Sequence, residues 1–92
     1  MGTLPRTYSI SQNYPNPFNP ETEIRYSLPE NGRVKLDIYD LLGKRVAVLV
    51  DEDQQAGFKS VRFDAKGLTS GVYYYRMTAG RYTGVRKMLV LK

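Results

Sequence analysis

Cysteine, histidine and tryptophan are absent from the 92 residues of this chain. Without cysteine the chain forms no disulfide and offers no thiolate, so an oxidising destination is neither required nor excluded. Without histidine it lacks the side chain that serves most often as a general base and as a metal ligand. We therefore expect no enzyme activity, no cofactor and no metal site, which leaves binding or structural roles.

Long hydrophobic runs are also missing. No stretch approaches the ~20 apolar residues that a membrane-spanning helix needs. Residues 1–5 lack the basic and apolar regions of a secretory signal peptide. A start at Met1-Gly2 is consistent with a domain excised from a longer protein.

Acidic side chains are missing from the last third of the chain. Residues 1–64 contain eight basic and nine acidic residues, whereas residues 65–92 contain six basic and no acidic ones, for a net charge of +5. Such a basic end favours anionic partners such as phosphate groups, lipopolysaccharide, nucleic acid or an acidic protein surface. The alternative is a solvated face that binds nothing.

What the chain does contain is a series of short alternating runs rich in β-branched and aromatic residues, with no helical period. The runs are ETEIRYSL (21–28), RVKLDIY (33–39), KRVAVLV (44–50), KSVRFDA (59–65), GVYYYRMTA (71–79) and VRKMLVLK (85–92). Six to seven short strands separated by turns predict an all-β fold, an antiparallel immunoglobulin-like β-sandwich. The Cys…Trp…Cys spacing of antibody domains is missing, so the likeness is one of architecture.

The alternation also predicts which side chains face the core. Val46, Val48 and Val50 share one face of their run. In the final run, either Met88 and Val90 or Leu89 and Leu91 face inward. The sequence PENG (29–32) predicts a turn with Asn-Gly at positive φ, and DLLG (40–43) predicts a hairpin connection. Residues 51–57 are expected to form a polar loop.

Three of the five prolines fall in YPNPFNP, residues 14–20. Proline has no N–H for a ladder, so this segment cannot be a central strand, whereas Asn16 and Asn19 can hydrogen-bond nearby backbone. We expect residues 1–20 to form a rigid lead-in whose Tyr14 and Phe18 dock on a sandwich of residues 21–92. The alternative is a flexible linker, but linkers seldom place aromatics among their prolines.

Two acidic patterns could carry chemistry. Asp51 and Asp53 begin a calcium-like spacing, but the glycine and glutamate that an EF-hand loop requires are replaced by Ala56 and Arg62. Asp37 and Asp40 lack any sign of the cleft that acid–base catalysis needs. Asp40 is instead expected to accept backbone hydrogen bonds in its turn.

Aromatic and basic residues crowd the last two runs. On a strand, Tyr73 and Tyr75 share one face and are expected in the core, with their hydroxyl groups reaching solvent. The alternative is an aromatic platform for sugar or single-stranded nucleic acid, helped by Arg76 and Arg81. The terminal RKMLVLK is either an ordinary last strand or an exposed edge that a partner, or a second copy in a weak homodimer, pairs with.

Four motifs in combination make residues 9–92 resemble a known family: NYPNPFNP (13–20), YDLLGKRV (39–46), SGVYYYR (70–76) and RKMLVLK (86–92). The chain resembles the type A C-terminal sorting domains of type IX secretion cargo in Bacteroidota. That family is similar to the immunoglobulin-like domain of the flagellar hook-capping protein.

The resemblance implies a sorting and anchoring signal that directs a cargo protein from the periplasm through the outer-membrane translocon, to be secreted or held at the cell surface. It implies an outer-membrane shuttle protein as receptor, with a cell-surface sortase and anionic lipopolysaccharide as further partners, and no nucleic acid. The alternative function is a structural or binding β-sandwich, either a hook-cap-like assembly domain or a carbohydrate-binding appendage of a secreted hydrolase.

The same resemblance places the family's signal chiefly in its last strands. The residues that this implies for partner recognition are Gly71, Tyr73, Tyr75, Arg76, Arg86, Lys87, Met88, Val90 and Lys92. The signature residues with a structural role are Asn13, Pro15, Asn16, Pro17, Phe18, Asn19, Pro20, Asp40 and Gly43.

Deleting residues 86–92 is expected to unfold the domain if Met88 and Val90 close the core, because a strand and two core side chains are lost. Replacing both Arg86 and Lys87 by Glu is expected to leave the free energy of unfolding within about 1 kcal/mol, as exposed substitutions usually do. Denaturant unfolding followed by circular dichroism measures both changes. If the double substitution unfolds the domain, its loss of secretion cannot be read as lost recognition.

Overall fold

Seven β-strands and no helix make up residues 3–92, the part of the chain that a computed structural model describes; Met1-Gly2, where excision was inferred, lies outside it. The strands are β1 (Ser9–Ile10), β2 (Glu21–Leu28), β3 (Gly32–Tyr39), β4 (Arg45–Gln54), β5 (Gly57–Asp64), β6 (Gly71–Ala79) and β7 (Tyr82–Val90). Residues 3–92 therefore hold no helix long and apolar enough to cross a membrane.

The strands form two antiparallel sheets, in the order β1-β2-β5 and β4-β3-β6-β7. The predicted all-β class and the sandwich of six to seven strands are confirmed. The connections β2–β3, β4–β5 and β5–β6 cross between the sheets, so only β3–β4 and β6–β7 are hairpins. The PENG turn is one of these crossings, and Gly32 is not among the glycines with positive φ. The prediction of a positive-φ Asn-Gly turn is therefore wrong.

Alternating side chains from both sheets meet in one core. The fully buried members include Ile24 and Leu28 from β2, Leu36 and Ile38 from β3, Tyr75 and Met77 from β6, and Met88 and Val90 from β7. Met88 is 1% exposed and Val90 is 0% exposed, whereas Leu91 is 49% exposed. The choice that the sequence left open is thus settled in favour of Met88 and Val90.

Strand β4 departs from simple alternation. The β3–β4 register shifts between Leu36 and Asp37, so that Leu36 faces Val50 while Asp37 faces Val48. The extra residue is a β-bulge, which turns the following side chains to the other face. Val48 is consequently 47% exposed while Val50 is buried, and the prediction that these valines share an inward face is wrong.

The acidic end of β4 is strand, where a polar loop was expected. β4 extends to Gln54, and Arg33 on the neighbouring strand lies 2.8 Å from Asp51 and 3.9 Å from Asp53. The outer face of an antiparallel sheet can be wholly polar, so composition alone does not distinguish this segment from a loop. No group of three or more acidic side chains able to hold a metal ion occurs within residues 3–92.

Gly84→Ala is expected to lower the free energy of unfolding by about 1–3 kcal/mol, the usual cost of overpacking. A Cβ at this position would lie 2.7 Å from Cγ2 of Ile10 and closer still to the hydroxyl of Tyr82. Chemical denaturation measures the change. Gly67→Ala is the control, since a Cβ there meets nothing within 4 Å. Equal unfolding midpoints for the two variants would contradict the tight packing of β7 on β1.

Candidate recognition surface at the last two strands

The free edge of β7 is covered by the chain that precedes β2. The backbone N–H of Phe18 donates to the carbonyl of Leu89 (3.1 Å), and the N–H of Leu91 donates to the carbonyl of Phe18 (3.0 Å). Between them, the side-chain oxygen of Asn16 accepts from the N–H of Leu89 (3.0 Å). The final strand therefore has no open edge here, and the alternative of an exposed edge for a partner to pair with is wrong for β7.

The cover continues towards the start of β7. The amide of Gln12 donates to the carbonyl of Lys87 (2.6 Å), and the guanidinium of Arg86 donates to the carbonyl of Ile10 (3.1 Å). Arg86 thus holds β1 against β7 and is not a free surface charge. Glutamate at Arg86 would lose this bond, so Lys87 alone is the cleaner position for a charge reversal.

The aromatic residues of the lead-in behave differently from each other. Phe18 is 2% exposed and packs edge-on against Phe63 with ring centroids 6.2 Å apart, whereas Tyr14 is 82% exposed. The expectation that both rings dock is wrong for Tyr14, whose backbone alone pairs with Glu23. Tyr14-Pro15, Asn16-Pro17 and Asn19-Pro20 are cis peptide bonds, and the carbonyl of Pro20 accepts from the N–H of Ala65 (2.8 Å).

Asn13 is a buried polar anchor at the start of the proline segment. Its side-chain nitrogen donates to the carbonyl of Pro15 and to Oγ1 of Thr22, each at 3.1 Å. Its backbone N–H donates to the hydroxyl of Tyr75 (2.8 Å), and that hydroxyl donates to the carbonyl of Ser11 (2.7 Å). Because Asn13, Thr22 and Tyr75 are buried, the hydrogen bonds among them replace bonds that water would otherwise make.

The hydroxyl of Tyr75 is therefore inside the protein, and the expectation that it reaches solvent is wrong. Tyr75 is 0% exposed, and burial raises its pKa to about 12, partly offset by the hydrogen bond from Asn13 and the charge of Arg86. Tyr73 is also buried, with its hydroxyl donating to the carbonyl of Thr69 (2.8 Å). The hydroxyl groups of both buried tyrosines thus hydrogen-bond to backbone carbonyls outside β6.

The chain end and the start of β6 hold two of the expected recognition residues, and the β3–β4 turn holds two signature residues. The ammonium of Lys92 donates to the carbonyls of Ala65 (3.0 Å) and Lys66 (2.9 Å), which ties the last residue to the β5–β6 connection. Gly71 begins β6 with a φ of 151°, which L side chains rarely adopt. In the β3–β4 turn, Oδ1 of Asp40 accepts from two backbone N–H groups at 2.9 Å, as expected, and Gly43 has a φ of 85°.

Burial divides the nine residues expected to recognise partners. Tyr73, Tyr75, Met88 and Val90 are buried, whereas Arg76, Arg86, Lys87 and Lys92 are exposed and Gly71 is half-buried. All six ion pairs among residues 3–92 join side chains from positions 21–62, so the cations of 65–92 have no carboxylate within 4 Å there. The last two strands consequently present positive charge that the described part of the domain does not neutralise.

The outer face of the four-stranded sheet contains a groove of about 300 Å³. Its lining residues are Tyr39, Asp40, Leu41, Gly43, Tyr74, Arg76 and Val85. The guanidinium carbon of Arg76 lies 4.9 Å from the centroid of the Tyr39 ring, and the same group donates to the Tyr39 hydroxyl (2.6 Å). Sequence reasoning singled out neither Tyr39 nor Val85, because only the register of three strands brings them together.

Comparison with known families shows which family the chain belongs to. A family model described as "Secretion system C-terminal sorting domain" matches residues 12–91. The chain belongs to this family. The sorting domain is the C-terminal sorting signal of type IX secretion cargo, and it interacts with that machinery for export across the outer membrane to the cell surface or the medium. A sorting signal of this kind is not catalytic. No curated protein and no solved structure matches the chain significantly.

Tyr75→Phe is expected to lower the free energy of unfolding at neutral pH by about 1–3 kcal/mol, because the N–H of Asn13 and the carbonyl of Ser11 lose their buried partner. Thermal and denaturant unfolding measure the loss. Tyr74→Phe is the matched control, since the Tyr74 hydroxyl makes no hydrogen bond within residues 3–92. A similar loss in both variants would mean that the bridging hydroxyl is not what stabilises the lead-in.

The same residue predicts the response of the domain to alkali. The folded pKa of Tyr75, about 12, lies above its usual value of 10.0, so the unfolded chain loses this proton first. The contribution of this pKa shift to the free energy of unfolding is fully present below pH 10. It is lost between pH 10 and 12, at about 1.4 kcal/mol per pH unit. Stability measured across this window should fall less steeply in Tyr75→Phe. Equal slopes for the variant and the unaltered domain would contradict the raised pKa.

Proposed function

We propose that the type IX machinery recognises this domain in its folded form, through exposed cations of β6 and β7, and that the outer-membrane shuttle protein is the receptor. The observation that carries the proposal is the set of unneutralised positive charges on the last two strands. Arg76 and Lys87 are the contact residues, because both are exposed and neither is needed to cover an edge.

The buried members of the expected recognition set act indirectly in this proposal. Met88 and Val90 hold β7 in the core, and Tyr75 joins β6 to the lead-in. Lys92 and Gly71 hold the end of the chain and the start of β6 in place. Changes at these positions are expected to abolish export because they unfold the domain. Changes at Arg76 or Lys87 are expected to reduce export while the domain stays folded.

The proposal also includes the link to the cargo and the partners that follow export. Residues 1–20 act as a docked lead-in between the cargo and the sandwich of residues 21–92, supported by the contacts of Phe18 and Asn16 with β7. A cell-surface sortase and anionic lipopolysaccharide follow as later partners, which suits the positive charge of residues 65–92. A weak homodimer is expected to use β4 or β5, the two long strands whose outer edges pair with no strand within residues 3–92. The chain itself contributes no catalysis, and nucleic acid is not a partner.

The experiment is a secretion assay. The whole 92-residue chain is fused behind a periplasm-targeted fluorescent protein in a bacterium with an active type IX system, and a strain without the translocon is the control. Export that depends on the translocon supports the proposal. Retention of a folded fusion in the periplasm of the competent strain would refute a self-sufficient signal.

Lys87→Glu is expected to reduce translocon-dependent export about tenfold while leaving the melting temperature nearly unchanged, because it reverses an exposed charge at the proposed contact. Arg81→Glu is the matched control: it makes the same charge change in the exposed β6–β7 turn and should export normally. Fluorescence in the medium and at the cell surface, relative to total fusion protein, is the measured quantity. Equal export of the two variants would contradict the proposal that the machinery recognises the charge of Lys87.

A further inference from the structure

Apolar side chains are exposed around the groove on the outer face of the four-stranded sheet. Leu41 and Leu42, in the β3–β4 turn, are 64% and 94% exposed, and Val85 on β7 is 56% exposed. Val48, turned outward by the bulge in β4, adds a further 47% exposed side chain to the same face. Exposed apolar residues grouped beside a groove, and not scattered singly, are typical of interaction sites.

The groove also contains a cation in a fixed orientation. Arg76 donates to the hydroxyl of Tyr39 (2.6 Å), and that hydroxyl donates to Oδ2 of Asp37 (3.1 Å). The stack of Arg76 on the Tyr39 ring and this chain of hydrogen bonds restrict the guanidinium, so little side-chain entropy is lost when a ligand binds it. Within residues 3–92 the guanidinium of Arg76 makes no other hydrogen bond, so its remaining N–H groups can donate to a carboxylate.

Two cations at the groove, Arg76 in its lining and Lys87 beside it, outnumber the one acidic residue of the lining, Asp40. Asp37 is 2% exposed, and its Oδ2 lies 3.8 Å from both Lys35 and Arg45, so this buried carboxylate is balanced within the sheet. Asp40 directs Oδ1 to the backbone of its own turn. Arg76 has no carboxylate within 4 Å among residues 3–92, and Lys87 faces Tyr74 across the β6–β7 ladder without an ion pair.

We propose that this groove binds a short segment of a partner protein in which acidic side chains alternate with apolar ones. The acidic side chains pair with Arg76 and Lys87, and the apolar ones pack on Val85, Leu41 and the Tyr74 ring. Tyrosine and arginine at the centre with apolar residues around them is the composition of residues that dominate binding energy at protein interfaces. The inference rests on the proposed function only in taking the partner to belong to the secretion machinery.

A protein segment fits the groove better than an anionic polysaccharide. One face of the Tyr39 ring is occupied by the guanidinium of Arg76, which leaves Tyr74 as the main open ring of the groove lining on which a sugar could stack. The exposed leucines and Val85 offer nothing to a sulfated or phosphorylated chain. Charge alone would attract both ligands, so the dependence on the apolar side chains distinguishes them.

The test is a titration of the isotope-labelled 92-residue domain, followed by nuclear magnetic resonance, with a synthetic peptide in which Glu alternates with Leu and Phe. The same peptide with Gln in place of Glu tests the charge, and dextran sulfate tests a polyanion without apolar groups. We expect saturable shifts of the amide signals of Tyr74, Arg76 and Val85 with the acidic peptide, and much weaker ones with the other two.

Matched substitutions locate the binding. Arg76→Gln is expected to weaken the acidic peptide about tenfold and Val85→Ser about fivefold. Arg81→Gln and Phe58→Ser are the controls: they make the same kinds of change at the β6–β7 turn and on β5, outside the groove, and should stay within about twofold of the unaltered domain. Melting temperatures confirm that all four variants are folded.

Two results would overturn the proposal. The first is an absence of saturable shifts with the acidic peptide up to ~1 mM. The second is dextran sulfate binding that depends on Arg76 but not on Val85, which would make the face a general anion patch. The secretion assay gives a separate result. Peptide binding without export would refute a self-sufficient signal while leaving the groove. Export that survives Val85→Ser would remove the groove from sorting, whereas export that survives Arg76→Gln would also remove Arg76 as a contact residue of the proposed function.

Discussion

The sandwich depends on one interaction, the pairing of the lead-in with two strands that belong to different sheets. Residues 11–14 hydrogen-bond to β2 in the three-stranded sheet, and residues 16–18 hydrogen-bond to β7 in the four-stranded sheet. One segment therefore closes the side of the sandwich at which both sheets would otherwise expose unpaired backbone. An edge left open would invite pairing with other chains, a hazard for a protein that must cross the periplasm.

Proline and asparagine suit this position because the segment has to cover an edge without becoming a strand. Proline has no N–H to leave unpaired, and the Asn16 side chain supplies an acceptor where the backbone geometry cannot. Asn13 and Tyr75 then connect the cover to the core through buried hydrogen bonds. Phe18 and Asn16 hold the last strand, whereas Asn13 joins the lead-in to β2 and β6.

Covering the edge leaves only the faces of the last strands open to a partner. With β7 paired on both sides, its outward side chains and those of β6 are the parts of the last strands that a partner can reach. The inner faces supply the core, so each of these strands stabilises the fold with one set of residues and leaves the next set for the contacts proposed above. Arg86 is the exception, since it lies with the inward set and donates to the backbone of β1.

The amino-acid sequence by itself determined the all-β class, the alternation that buries Tyr73 and Tyr75, the Asp40 turn and the family, and it left open which face of the final strand is buried. These follow from local chemistry: a pleated strand has a period of two, and turn residues act on their own backbone. Tertiary structure alone decided the bulge that turns Val48 outward, the covering of β7, the exposure of Tyr14 and the groove between Tyr39 and Val85. Each of these depends on the register between strands distant in sequence, which is set by how the whole core packs and leaves no local pattern to detect.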